Sequence, residues 1–137
     1  MKIVFDTNVL ISAFISHGTC SEIFEYCLVK HELCTSRWIL AEFRKNLLKK
    51  FGFSKEDTGQ AINLIMEYSI VINPEPLARG ICSDPADDNI LAAAITGQVD
   101  CIITGDNDLL ILEKIKGIQI IKPSAFWKYE KTHKRHS

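Results

Sequence analysis

Five short β-rich runs, each set apart from the next by helical patterning, constrain this chain more than any other feature. Lys2–Phe5 is the first run, and it closes at Asp6. Thr7–Ile15 then places Val9, Leu10, Ala13 and Phe14 on one stripe, the spacing of a helix with an apolar side. Thr19–Lys30 reads as a second helix and His31–Thr35 as a brief strand. Ser36 suits the N-cap of a helix running to about Lys50. Gly52 breaks that helix, and Ser54-Lys-Glu-Asp opens another reaching about Tyr68. Ser69–Ile72 is strand-like, Pro74 and Pro76 mark a loop, and Asp84-Pro85 begins a helix that ends at Gly97. Asp100–Thr104 has the make-up of a buried strand, Asn107–Lys114 reads as helix, and Ile118–Ile121 is the last strand before Pro123.

Strands joined through helices imply a parallel sheet covered on both faces, because such crossovers are how parallel strands connect. Open sheets of this kind bind ligands at the carboxyl ends of their strands, where the strand order reverses. Asp6 directly follows the first strand and Asp106 follows the Cys101–Thr104 strand, so both acids fall where that architecture puts chemistry. The 137 residues suffice for one ordinary domain, expected over 1–126, with 127–137 as a basic tail carrying Lys128, Lys131, Lys134 and Arg135.

Composition removes several classes. With 47% hydrophobic and 24% charged residues, the chain is neither disordered nor a low-complexity scaffold. Its longest apolar stretches, Val9–Ile15 and Ile90–Ile95, are far short of the roughly 20 residues a membrane span needs. The opening Met-Lys-Ile-Val-Phe-Asp brings charge back too early for a secretion signal, so a cytoplasmic chain is expected. Its five cysteines are odd in number, contain no C-x-x-C pair and read as small buried hydrophobes. They do not cluster with the four histidines, which argues against zinc. No phosphate-binding glycine loop of either common pattern occurs.

The 17 acids and 16 bases nearly cancel, yet the acids are concentrated. Asp84, Asp87 and Asp88 lie within five residues, and Asp106 and Asp108 within three. The remaining body is mildly basic, with Arg44, Lys45, Lys49 and Lys50 forming one stretch. Acids gathered in a basic body suit metal ions surrounded by a phosphate polymer, although each basic run could equally be a solvated helix face.

Each acid has a plain structural reading beside the chemical one. Asp6 could simply cap the helix after it. A phosphatase built on a strand-terminal aspartate would need a second acid two residues on, and this chain has Asn8 there. Asp88 shares a helix face with Leu91, Ala92 and Ile95, which would put a carboxylate in an inward-facing apolar stripe. Burying an isolated charge is costly unless it is paired or bound to metal. Asp84 with Pro85 already makes a cap and first-turn pair, and Asp87 can serve the helix dipole, so Asp88 is left for function. Of Asp106 and Asp108, one can cap a helix and the other is surplus. Glu42 lies at the margin of the stripe formed by Ile39, Leu40, Phe43 and Leu47, where pairing with Lys45 or Asn46 is the default. Carboxylates without Cys or His support fit a hard cation such as Mg²⁺ or Mn²⁺ and metal-assisted phosphodiester hydrolysis.

Three stretches together resemble the PIN-domain family of metal-dependent nucleases: Val4-Phe-Asp-Thr-Asn-Val-Leu-Ile, Asp84-Pro-Ala-Asp-Asp-Asn-Ile-Leu-Ala-Ala-Ala and Ile103-Thr-Gly-Asp-Asn-Asp-Leu-Leu. They stand in the family's order, and the resemblance covers about residues 2–126. Within the family the chain is similar to small toxin components of toxin–antitoxin pairs, of the VapC type. The resemblance implies a three-layer α/β/α fold with a five-stranded parallel sheet in order 3-2-1-4-5. It implies Asp6, Glu42, Asp88 and Asp106 as catalytic acids, with Asp6, Asp88 and Asp106 on the metal. Glu42 enters through Trp38-Ile-Leu-Ala-Glu-Phe, which resembles the family's helix around that acid. Asn8, Thr104, Asp108 and Asp87 are the expected supporting residues. The implied substrate is single-stranded RNA, and the implied partners are an antitoxin and a second copy of the chain. A housekeeping RNA-processing nuclease and a non-catalytic RNA-binding PIN module stand as alternatives.

Overall fold

The structure, a computed structural model, describes residues 1–74 and 85–135; Pro76, Cys82, Asp84 and His136 lie outside the described residues. Its elements follow the expected alternation: β1 (Lys2–Phe5), α1 (Thr7–Ile15), α2 (Thr19–Lys30), β2 (Glu32–Ser36), α3 (Arg37–Lys49), α4 (Lys55–Glu67) and β3 (Ser69–Ile72). After these come α5 (Pro85–Gly97), β4 (Cys101–Ile103), α6 (Asn107–Leu110), β5 (Lys114–Ile115), β6 (Ile118–Ile121) and α7 (Phe126–Arg135). A short 3₁₀ turn, Pro123–Ala125, leads into α7. No helix among the described residues is long and apolar enough to cross a membrane.

The sheet runs β3-β2-β1-β4-β6-β5, and every pair is parallel except β5 on β6. Its parallel part has the expected order, with β6 as the fifth strand. Successive side chains on a strand point to opposite faces. Ile3, Val4 and Phe5 are nevertheless all buried, as are Cys101, Ile102 and Ile103, so both faces of the central strands are covered. That is the layered α/β/α arrangement the alternating pattern called for. Phe14 of α1 meets Phe43 of α3 edge-on and Phe24 of α2 at a tilt, and Phe5 of β1 meets Phe24 edge-on, tying the first strand to these helices.

The expected helix Asn107–Lys114 is shorter than the sequence suggested. Glu113 and Lys116 take left-handed φ values of 58° and 47°, and Gly117 one of 83°. The chain therefore doubles back, pairing Lys114 with Gln119 and Ile115 with Ile118 to add the antiparallel edge strand β5. Only at Gly117 is that backbone free of a side-chain penalty.

Residues 127–135, expected as a basic tail, continue the helix that starts at Phe126. The helix docks because Phe126 is fully buried and because Tyr26 meets both Phe126 and Trp127 edge-on. Glu130 reaches His31 Nε2 at 2.6 Å. This anchorage lies beside Asp100 and the start of β2, at the amino ends of the strands. Four of the five cysteines fall among the described residues, and all four are free. Burial pushes the Cys27 thiol up to about 12 and also raises Cys101, so neither thiol is poised to react.

Ser36 ends β2 and caps α3, accepting a hydrogen bond from the Ile39 N–H at 3.2 Å while fully buried. Ser36→Ala should cost about 1 kcal/mol, measured as a lower denaturant midpoint at unchanged slope.

Candidate metal centre and its cleft

Register brings the site together. Phe5 pairs with Ile103, and the Asp6 N–H continues the ladder by donating to the Ile103 carbonyl at 2.9 Å. The next residue along each strand is therefore Asp6 on one and Thr104 on the other. The Thr104 hydroxyl donates to Asp6 Oδ2 at 2.7 Å, and its oxygen accepts from the Asp106 N–H at 3.0 Å. One buried hydroxyl thus ties the Asp6 carboxylate to the backbone at Asp106, far along the chain. Asp6 stands at the N-cap position of α1 without a capping side-chain hydrogen bond, so capping alone does not account for it. Asp106 does cap, accepting from the Asp108 N–H at 2.9 Å.

A cleft of about 300 Å³ opens over these acids, with Asp6, Glu42, Asp87 and Asp106 in its walls. Asn8, exposed at the start of α1, and the buried Thr7 also line it. The Thr7 hydroxyl is buried there with no hydrogen-bond partner among the described residues. Lys45 and Lys50 from the end of α3 face the same space, whereas Arg44 and Lys49 do not line it. The cleft also takes in Trp38 and Asn46 of α3, neither of which the sequence had singled out as site residues.

The acid of α5 in the cleft is Asp87, not Asp88. Asp87 is buried to 4% exposure, and Asp88 is half-buried and does not line the cleft. The expected placement failed because α5 is apolar almost all round. Ile90, Leu91, Ala92, Ala93 and Ala94 are all buried, so spacing against them favours no single face. Asp87 has its own buried neighbours at i+3, i+4 and i+7, namely Ile90, Leu91 and Ala94. Of the two, Asp87, expected in a supporting role, is the one that lines the cleft, and Asp88, expected on the inward face, is the more exposed.

Carboxylate oxygens of Asp87, Asp106 and Asp108 lie within 4.8 Å of one another. With no sulfur or imidazole in the set, the donors match a hard, oxygen-seeking divalent cation. The unpartnered Thr7 hydroxyl in the cleft wall adds a further oxygen. The residues present therefore fit such an ion.

Burial is the main influence on Asp6 and raises its pKa above the ordinary 3.8. The Thr104 hydroxyl opposes that shift, as do the nearby Thr7 and Asn8 amides, while the charge of Asp106 reinforces it. A carboxyl whose folded pKa is raised contributes stability that is fully present below its unfolded value and lost as pH rises through the folded one. Asp6 is therefore a cost to the metal-free protein at neutral pH. In chelator, Asp6→Asn should raise the melting temperature at pH 7, and the gain should shrink as pH falls toward 3.8. A gain that does not vary with pH would locate the cause elsewhere.

Comparison with known proteins agrees with this geometry. Residues 2–108 match the family described as PIN domain. Among solved structures, the fold is similar to VapBC2 from Rickettsia felis, solved bound to a DNA fragment from their promoter. That match has 15% identity and TM-score 0.62, over 89% of this chain and 98% of that one. It is also similar to VapBC-1 from nontypeable Haemophilus influenzae, at 20% identity and TM-score 0.62, over 90% and 99% of the two chains. FitAcB from Neisseria gonorrhoeae aligns at 18% identity and TM-score 0.58, over 89% and 98%. No curated protein matches.

Proposed function

This chain belongs to the PIN domain family, and from that premise we propose that it is a divalent-metal-dependent endoribonuclease that hydrolyses phosphodiester bonds of single-stranded RNA. The observation that carries the reading is one cleft that joins Asp6, Glu42, Asp87 and Asp106 to the ammonium groups of Lys45 and Lys50. Acids alone would repel a phosphate polymer, and bases alone would only bind it.

Asp87, Asp106 and Asp108 would hold Mg²⁺ or Mn²⁺, with Asp6 beside them. When bound, the cation supplies charge neutralisation at the phosphoryl group and a water of lowered pKa. Thr104 keeps the Asp6 carboxylate oriented through its hydrogen bond to Oδ2. Glu42, half-buried on α3 and lining the cleft, would accept the proton of the attacking water on its carboxylate. Lys45 and Lys50 bind flanking phosphates, and Asn8 and the Thr7 hydroxyl offer polar contacts at the opposite wall. In-line attack by water would break the P–O3′ bond, the departing 3′-oxygen taking a proton from solvent, and would leave a 5′-phosphate.

The resemblance to VapC-type proteins and the VapBC structures among the fold's relatives support a toxin role, with an antitoxin protein covering the cleft. A homodimer belongs to the same reading, and sedimentation of the purified chain reads it directly. A short upstream reading frame with a DNA-binding N-terminus would favour the toxin role over housekeeping RNA processing.

Cleavage of an unstructured RNA should require Mg²⁺ or Mn²⁺ and stop in EDTA. Persistence in EDTA, or products ending in 2′,3′-cyclic phosphate, would remove the mechanism. Asp87→Asn should abolish turnover and most of the metal-induced thermal stabilisation, which is about 2.7 kcal/mol at a hundredfold excess over Kd. Asp88→Asn should keep both, and the reverse pattern would return Asp88 to the site. Replacing Lys45 and Lys50 by glutamate should flatten the salt dependence of RNA binding by about 1.4 in log–log slope, the loss of two phosphate contacts on a single strand. The same exchange at Arg44 and Lys49 should change it less.

A further inference from the structure

Among the described residues Trp38 is the one large aromatic side chain in the cleft wall, whose other residues are mainly charged or polar. Several rings elsewhere pair with one another: Phe14 with Phe24 and Phe43, and Tyr26 with Phe126 and Trp127. Trp38 makes no ring contact among the described residues and stays half-buried, with part of its surface open to the cleft. It belongs to a stripe along α3 in which Trp38, Glu42, Lys45, Asn46 and Lys50 all line the same space. Positions 38, 42, 45 and 46 stand at i, i+4, i+7 and i+8, the spacing of one helix face. From Trp38 to Lys50 that stripe spans about 18 Å at 1.5 Å per residue.

The order of chemistry along the stripe has a direction. An aromatic surface comes first, then the carboxylate of Glu42, then two cations. A polymer laid along it would set phosphates against Lys45 and Lys50 and carry a base to Trp38 on the other side of Glu42. We infer that Trp38 is a stacking platform for an unpaired nucleobase beside the scissile phosphate, and that it restricts the enzyme to single-stranded RNA. A base in a duplex keeps its faces covered by its neighbours, whereas a single strand can splay one out onto an aromatic ring. Stacking tolerates any base because each has a π-face, so Trp38 selects for strandedness without reading sequence. This inference rests on the nuclease reading above and adds a residue and a selection rule to it.

The test is steady-state cleavage of an unstructured oligoribonucleotide in Mn²⁺, alone and annealed to its complement. Trp38→Ala should raise KM roughly five- to hundredfold with little change in kcat, the loss of one stacked base. Trp38→Phe should recover most of that loss. The salt slope of binding should stay at the parent value in both variants, because stacking releases no counterions. Trp38 and Trp127 are the two tryptophans, so Trp127→Phe leaves Trp38 as the sole indole reporter. RNA should quench its emission, which keeps the inference testable if Trp38→Ala does not fold. Cleaved RNA with unmoved Trp38 emission, a parent-like KM in a folded Trp38→Ala, or equal cutting of duplex would each overturn stacking while leaving the nuclease reading intact. If RNA is neither bound nor cut with either metal, the nuclease reading fails and takes this inference with it.

Discussion

The pairing register of β1 against β4 is the constraint on which the site depends. A shift of one residue would turn every side chain to the opposite face, and Thr104 would no longer meet Asp6. The register is secured by burial on both faces, since Ile3, Val4, Cys101, Ile102 and Ile103 have no exposed surface. Core packing therefore sets the geometry of the carboxylates with no added device beyond one hydroxyl. The strand order reverses between these same two strands, so the crevice at their carboxyl ends has helix starts on either side and room for a ligand.

That placement carries an electrostatic cost. Asp6 is almost fully buried beside Asp106, and the hydroxyl and amide groups around it offset its desolvation only in part. Folding alone gains nothing from gathering acids in this way. The arrangement is favourable when positive charge is delivered to it, from a cation among the carboxylates and from Lys45 and Lys50 at the rim. Fixed ligands held by a dry core lose little freedom on binding, which is why rigid strand ends suit a hard ion.

Much of this was legible in the sequence. The strands and α1 through α4 follow from apolar periodicity and caps, and α1 and α2 have the expected bounds. Asp6 and Asp106 drew attention because each lies just beyond the carboxyl end of a strand, a position that topology alone makes special, and both line the cleft. That Asp87 and not Asp88 lines the cleft marks where periodicity stops informing. A helix buried along successive residues has no polar face to define its orientation, and only three-dimensional packing selects which carboxylate enters the cleft. The edge strand β5 escaped notice because two of its turn residues, Glu113 and Lys116, take a left-handed backbone that their side chains do not advertise. Helix α7 was hidden by its charges, since Phe126 and Glu130 are buried while Lys128 and Lys131 are exposed. Trp38 entered only as part of the motif around Glu42, beside the true core stripe of Ile39, Leu40, Phe43 and Leu47, to which a tryptophan adds nothing unusual in sequence.

The hydrogen bond between Asp6 and Thr104 spans 98 positions of the chain. A ribosome adding about 5–20 residues each second needs on the order of 5–20 s to travel from one to the other. Throughout that interval the amino-terminal aspartate has already been made while the strand that orients it does not yet exist. The cleft therefore cannot close its ring of acids on the nascent polypeptide until translation has passed Asp106. The acidic cluster thus assembles only after most of residues 1–108 have been made.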